Sequence, residues 1–244
     1  NLSKTYYADY QWQKNISNKQ LRITTGITYE RSAANSDLFN GESSRTNHSL
    51  YAQLDKKIGK INLSIGGRYE SFALNSEEKY LVNSDSIKNF SSAKPVFRTG
   101  INYQIAEATY LRSSWGQGYR FPSMAELFIS TNQSGLEIYP NPGLKPESGW
   151  SSEIGIKQGF KTGKWMGYID IAGFIQQYDN MMEFTFGKWA ESEGADNFYG
   201  LGFKSLNVGT TQISGVELSI SGQGKINSNL TINLIAGYTY MDPI

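Results

Sequence analysis

The sequence predicts an all-β protein: about ten antiparallel strands, connected up and down, forming part of the wall of a membrane β-barrel. Three observations carry this. Apolar and polar side chains alternate with a period of two along almost the whole chain. The connections between strands alternate between short and long. The composition holds 16 Tyr, 12 Phe, 5 Trp and 25 Gly beside 6 Pro in 244 residues, which suits β-structure with aromatics at an interface better than a helical core.

The alternation is clearest in four places. Leu21, Ile23, Thr25, Ile27 and Tyr29 share one face, and Arg22, Thr24, Gly26, Thr28 and Glu30 the other. Leu50, Ala52 and Leu54 alternate with Tyr51, Gln53 and Asp55, and Ile61, Leu63 and Ile65 with Asn62, Ser64 and Gly66. Near the end, Leu230, Ile232, Leu234 and Ala236 oppose Thr231, Asn233 and Gly237. No helical period is sustained anywhere. Strands are expected at roughly 4–14, 20–30, 48–56, 60–71, 93–104, 108–118, 147–158, 164–178, 205–222 and 229–242.

The connections say more than the strands. Those near 15–19, 56–59, 105–107, 159–163 and 223–229 are tight and rich in Gly, Asn or Lys. Those at 31–47, 72–92, 119–146 and 179–204 are long and polar. Up-and-down topology puts every other connection at the same end, and membrane barrels keep short turns on the periplasmic side and long loops outside. A Greek-key sandwich has no reason to sort its loops this way.

Aromatic spacing agrees with a membrane wall. After Glu147 the outward set is Trp150, Ser152, Ile154, Ile156, Gln158 and Phe160. Ten residues at ~3.3 Å each, tilted by ~40°, rise ~25 Å, the height of the apolar band between two aromatic girdles. Trp115, Tyr238 and Tyr240 stand at long-loop ends, and Tyr10 and Trp12 near a short turn. The mean hydropathy of −0.46 is compatible with this, because alternating strands dilute the average. No run of about 18 apolar residues exists to form a spanning helix.

Much chemistry is excluded. A net charge of +1 without a basic run gives no reason to expect nucleic acid. With no cysteine and one histidine, His48, there is no disulfide, no thiolate or His-rich metal site, and little scope for nucleophile–base catalysis. Gly222-Gln223-Gly224-Lys225 reads as a hairpin turn, not a phosphate loop. No cofactor or metal is expected, and the chain is not expected to be an enzyme. Among carboxylates, Glu77 and Glu78 lie in a polar loop. Glu153, Asp170 and Glu217 fall about halfway along their strands on the inward face, with Arg98 and Arg112 at similar heights. Together they predict a belt of opposite charges facing the lumen, costly in a dry sandwich core but suited to a lumen filled with water or protein.

One set of motifs resembles a known family. The loop 119–146 contains Tyr119-Arg120-Phe121-Pro122-Ser123 and Glu126-Leu127-Phe128, and closes with Asn141-Pro142-Gly143-Leu144-Lys145-Pro146-Glu147. Then come Asn207-Val208-Gly209, Gly215-Val216-Glu217-Leu218 and Gly237-Tyr238-Thr239-Tyr240. In this order they resemble the barrel signatures of TonB-dependent outer-membrane receptors, most densely from Arg112 to Asp242. Trp115 to Phe121 with Met181-Met182-Glu183-Phe184 is similar to receptors of Bacteroidetes-type bacteria.

The resemblance implies a 22-stranded barrel with a plugged lumen, in the outer membrane of a Gram-negative bacterium, importing a scarce nutrient with energy passed on by TonB. Siderophore-bound iron, haem, cobalamin and oligosaccharides are all open as substrates. On this reading residues 1–244 are a partial barrel domain. The plug, the TonB-contacting segment and the C-terminal strands are expected elsewhere in the parent chain, and the inward belt is expected to pair within itself or with the plug. Lipid surrounds the wall. Ligand contact is expected from the long loops, at Arg120, Phe121, Tyr139, Phe186 and Trp189, with Phe128, Phe198 and Tyr199 nearby. Alternatively, Arg120-Phe121-Pro122 folds its own loop. The rival readings are a passive porin or adhesin barrel and a soluble all-β carbohydrate-binding domain. The latter requires Ile154, Ile156, Leu218 and Leu234 to be enclosed by a second layer.

Overall fold

The computed structural model describes the backbone of residues 2–36, 41–82, 85–133, 136–190 and 199–243. Ten strands form one antiparallel sheet: β1 (Leu2–Ile16), β2 (Leu21–Ser36), β3 (Gly41–Ile58), β4 (Ile61–Val82), β5 (Asp85–Ala106), β6 (Thr109–Arg120), β9 (Glu147–Thr162), β10 (Trp165–Asp179), β13 (Thr210–Lys225) and β14 (Thr231–Pro243). Their spatial order is their order in the chain, so the sheet is an up-and-down meander, with β1 and β14 each paired on one side.

The register turns alternation along strands into rows across the sheet. Tyr10, Ile27, Leu50 and Tyr69 stand directly opposite one another on β1–β4. Tyr103, Leu111, Ile156, Ile171, Leu218 and Tyr238 do the same from β5 to β14. All of these are exposed. Ile154, Ile156, Leu218 and Leu234 are 59%, 41%, 43% and 45% exposed, so no second layer encloses them. An apolar face this extensive is the lipid-facing side of a barrel wall. The opposite face carries rows such as Gln53, Gly66, Arg98, Gly116, Ser151 and Gln176.

Two of the short turns have a simple chemical origin. Gly59-Lys60 and Gly163-Lys164 each join two strands, and both glycines have φ of +58°, which a two-residue hairpin readily accepts only from a residue without a β-carbon.

The structure departs from the sequence reading in four ways. Most of 31–47 and 72–92 is strand, so β2 to β5 run on as two long hairpins of 16, 18, 22 and 22 residues. The expected strand over 205–222 is two strands, β12 (Leu201–Asn207) and β13, broken at Val208-Gly209, where Gly209 has φ of +131°. Gly222 to Lys225 belong to β13, and the turn follows at Ile226–Leu230. Finally, the connections 121–146 and 180–209 have structure of their own. They contain the helix α1 (Met124–Phe128) and a second sheet in the order β11 (Met182–Lys188), β12, β8 (Leu136–Tyr139), β7 (Thr131–Gln133).

The buried core sits where the first of these connections folds onto β4. Phe72 and Leu74 pack with Leu127, Phe128 and Leu144, flanked by Phe90, Phe121, Met124 and Met182.

Candidate functional site

The inward face of the wall brings three charged residues together. Arg112 on β6 donates from Nε to Glu153 Oε1 at 2.8 Å and from Nη1 to Asp170 Oδ1 at 2.5 Å. Gly155, opposite Arg112 on β9, makes the room: a β-carbon there would lie 2.9 Å from Arg112 Cζ. Of the other residues expected in the belt, Arg98 donates instead to the Gln53 side chain. Glu217 shares Arg112's row three strands away, exposed and outside the cluster. One guanidinium between two part-buried carboxylates pairs with both and leaves this cluster with one net negative charge.

A second polar cluster forms around Glu70, where the sequence pattern alone does not place one. Glu70 on β4 is 8% exposed and accepts from Asn47 Nδ2 at 2.5 Å, Arg68 Nε at 2.8 Å and the Tyr119 hydroxyl. Although β6 stays paired with β9 as far as Arg120, Tyr119 lies beyond the stretch in which β6 pairs with β5, which ends at Gly116. At that point Gln117 Oε1 caps the Phe97 amide at 3.1 Å. The one available signal was that Arg68 and Glu70, two apart on a strand, share a face.

The mouth is a folded cap built from both long connections. Arg120 pairs bidentately with Glu147, at 2.7 and 3.0 Å, and donates from Nη1 to both oxygens of Glu126 at 2.9 Å. Ser123 and Glu126 form a capping box that starts α1: the Glu126 amide donates to Ser123 Oγ at 3.2 Å, and the Ser123 amide to Glu126 Oε2 at 2.8 Å. Phe121 stacks on Phe72 with centroids 4.6 Å apart. Arg120 and Phe121, expected as ligand contacts, are thus engaged in holding their own loop.

On the second sheet the remaining candidates stand differently. Phe186 is 52% exposed and packs edge-on to Phe203, which stacks on Phe184 at 5.0 Å. Trp189 lies over Gly187 and donates from Nε1 to Gly202 O at 3.1 Å, with Lys204 Nζ 5.9 Å above its ring. Tyr139 is half-buried, and burial first, then Glu137, raises its hydroxyl pKa above the ordinary value. Tyr199 is exposed, whereas Phe128 is fully buried and has no face to offer a ligand. Phe198 lies outside the described residues, as do the side chains of Glu77 and Glu78. His48 is an exposed residue with its ring 5.1 Å from Tyr29.

A lipid-facing wall, a charged inner face and a structured mouth invite comparison with known barrels. The family model for "TonB dependent receptor-like, beta-barrel" matches residues 1–244. The chain belongs to this family. The family is one of receptor barrels, and the match covers the chain from end to end. It is 26% identical over 162 residues to the vitamin B12 transporter BtuB of Vibrio vulnificus, an alignment that takes in 66% of this chain and 21% of that protein. It is 20% identical to the hemoglobin and hemoglobin-haptoglobin-binding protein A of Haemophilus influenzae, over 93% of this chain and 23% of the relative. The chain therefore spans less than a quarter of the length of either relative.

Among solved structures, the hemophore receptor HasR of Serratia marcescens superposes with a TM-score of 0.78 at 16% identity, covering 98% of this chain and 42% of that one. The FrpB iron transporter of Neisseria meningitidis (F3-3 variant) gives 0.64 at 17%, covering 99% and 35%. At these identities the likeness shows the receptor-barrel fold.

Proposed function

We propose that this wall belongs to an outer-membrane receptor of a Gram-negative bacterium that captures a scarce nutrient outside the cell and admits it by TonB-dependent transport. The observation that supports this most is the contrast between the two faces of one sheet. One is an apolar band running across ten strands. The other carries Arg112, Glu153 and Asp170 in a form suited to a lumen filled by a plug or by water. In this reading further strands complete the wall, a plug domain of the same parent chain meets the inner charges, and TonB engages a region outside residues 1–244. The nutrient is a small molecule of the kind that relatives take up, such as the vitamin B12 of one relative's name or the iron of another's. Phe186 and Tyr139 on the second sheet, with Trp189 just past β11, supply its first contacts. Arg120 and Phe121 hold the loop that presents them.

The test is growth of a strain lacking the receptor gene, complemented with the complete receptor, on single limiting nutrients. Uptake of one nutrient that disappears when TonB is deleted supports the reading. The double variant Phe186→Asp, Trp189→Ala is expected to weaken binding about tenfold or more, with unchanged receptor abundance. Uptake that persists without TonB identifies a passive pore and sinks the proposal.

A further inference from the structure

The two long connections are built as one body. β8, from the first, pairs in parallel with β12, from the second, at Gly202–Glu137, Phe203–Ile138 and Lys204–Tyr139. Two side chains then close the joint. Asn207 accepts from the Lys145 amide at 2.8 Å and donates from Nδ2 to Lys145 O at 3.0 Å and Asn180 O at 2.8 Å. Glu147 takes Arg120 on one side and the Met182 amide, at 2.6 Å, on the other. Asn141 adds a bond from Nδ2 to Ser205 O at 2.8 Å. The chemistry at position 207 is specific. Only a primary amide offers one acceptor and two donors at that reach, so a carboxylate of the same size keeps the shape but forfeits both donated bonds.

We propose that Asn207 and Glu147 are positioning residues that lock the two connections into a single cap, so that whatever loosens one loosens the other and whatever orders one orders both. With the joint closed the two connections move as one body, so a ligand touching either one acts on both. This goes beyond the uptake reading and stands apart from it, because the coupling exists without ligand.

The experiment is backbone hydrogen exchange on the complete receptor in detergent, with no ligand added. Asn207→Asp is expected to speed exchange about tenfold in both 136–146 and 182–207, leaving β9 and β10 unchanged. Glu126→Gln is the control, since the partners of Glu126, Arg120 and Ser123, lie at or near α1, and it should loosen only 121–129. Faster exchange confined to 182–207 in Asn207→Asp overturns the proposal. If that variant also loosens β9 and β10, Asn141→Ser decides in its place. A paired rise in both connections upholds the joint, and a rise limited to 136–146 refutes it.

Discussion

At the scale of single residues, the charges facing inward show what alternation reveals and what it hides. A strand's period of two puts Arg112, Glu153 and Asp170 on one face, and they meet there. The Glu70 cluster is not legible in the sequence, because its partner Tyr119 sits on β6, beyond the intervening β5, and past the end of the β5–β6 pairing. No local pattern encodes where that pairing stops. Replacing Arg112 by Met strands two part-buried carboxylates, and is expected to cost about 1–3 kcal/mol, less than a fully buried pair because all three side chains keep some solvent. Arg112→Lys should recover part of this. Urea unfolding of the complete receptor in detergent checks both. Gly155→Val is expected to be as harmful, since its side chain would collide with Arg112 and with Ile171 O, 3.0 Å from the added β-carbon.

Elements obey a different rule: a strand shows itself in sequence only where its two sides meet different surroundings. The centre of each strand was legible because lipid lies on one side and the lumen on the other. Above the apolar band that contrast ends. So Ser32, Ser36, Ser43, Ser44 and Thr46 read as loop although they are strand. α1 was legible in principle from Ser123-Met124-Ala125-Glu126, a capping-box spacing, and was hidden by its five-residue length. The band supports a directional test. Leu218→Arg on the outward face is expected to cost about 2–4 kcal/mol of folding into lipid vesicles, and Ser219→Arg on the next, inward position far less. Equal costs would mean that both faces see the same medium. In the cap, Phe128→Ala should cost about 3–5 kcal/mol of local stability, visible as rapid exchange from 121 to 146 with the barrel strands protected.

For the whole molecule, strand number and topology were readable, since ten strands in chain order follow from ten patterned segments and nine connections. The second sheet was not. Its four short strands come from two separate connections and pair in an order, β11-β12-β8-β7, that no local sequence feature announces. The ten-stranded sheet carries one consequence for the isolated polypeptide. Among the described residues, β1 and β14 each pair along one side only, and such edges recruit other strands. Residues 1–244 refolded alone in detergent are expected to sediment as oligomers or aggregates. A sharp monomer would show that the edges are satisfied within one chain.

The length of β4 and β5 bears on how the molecule meets its surroundings. At ~3.3 Å per residue, 22 residues run ~73 Å, and a ~40° slope lifts them ~55 Å, about twice the lipid-spanning height. Some 30 Å of upright blade therefore stands beyond the bilayer at one side of the rim. An antibody or a shaving protease approaching from that side would touch this flank early, except where the cap covers it at Phe72 and Leu74.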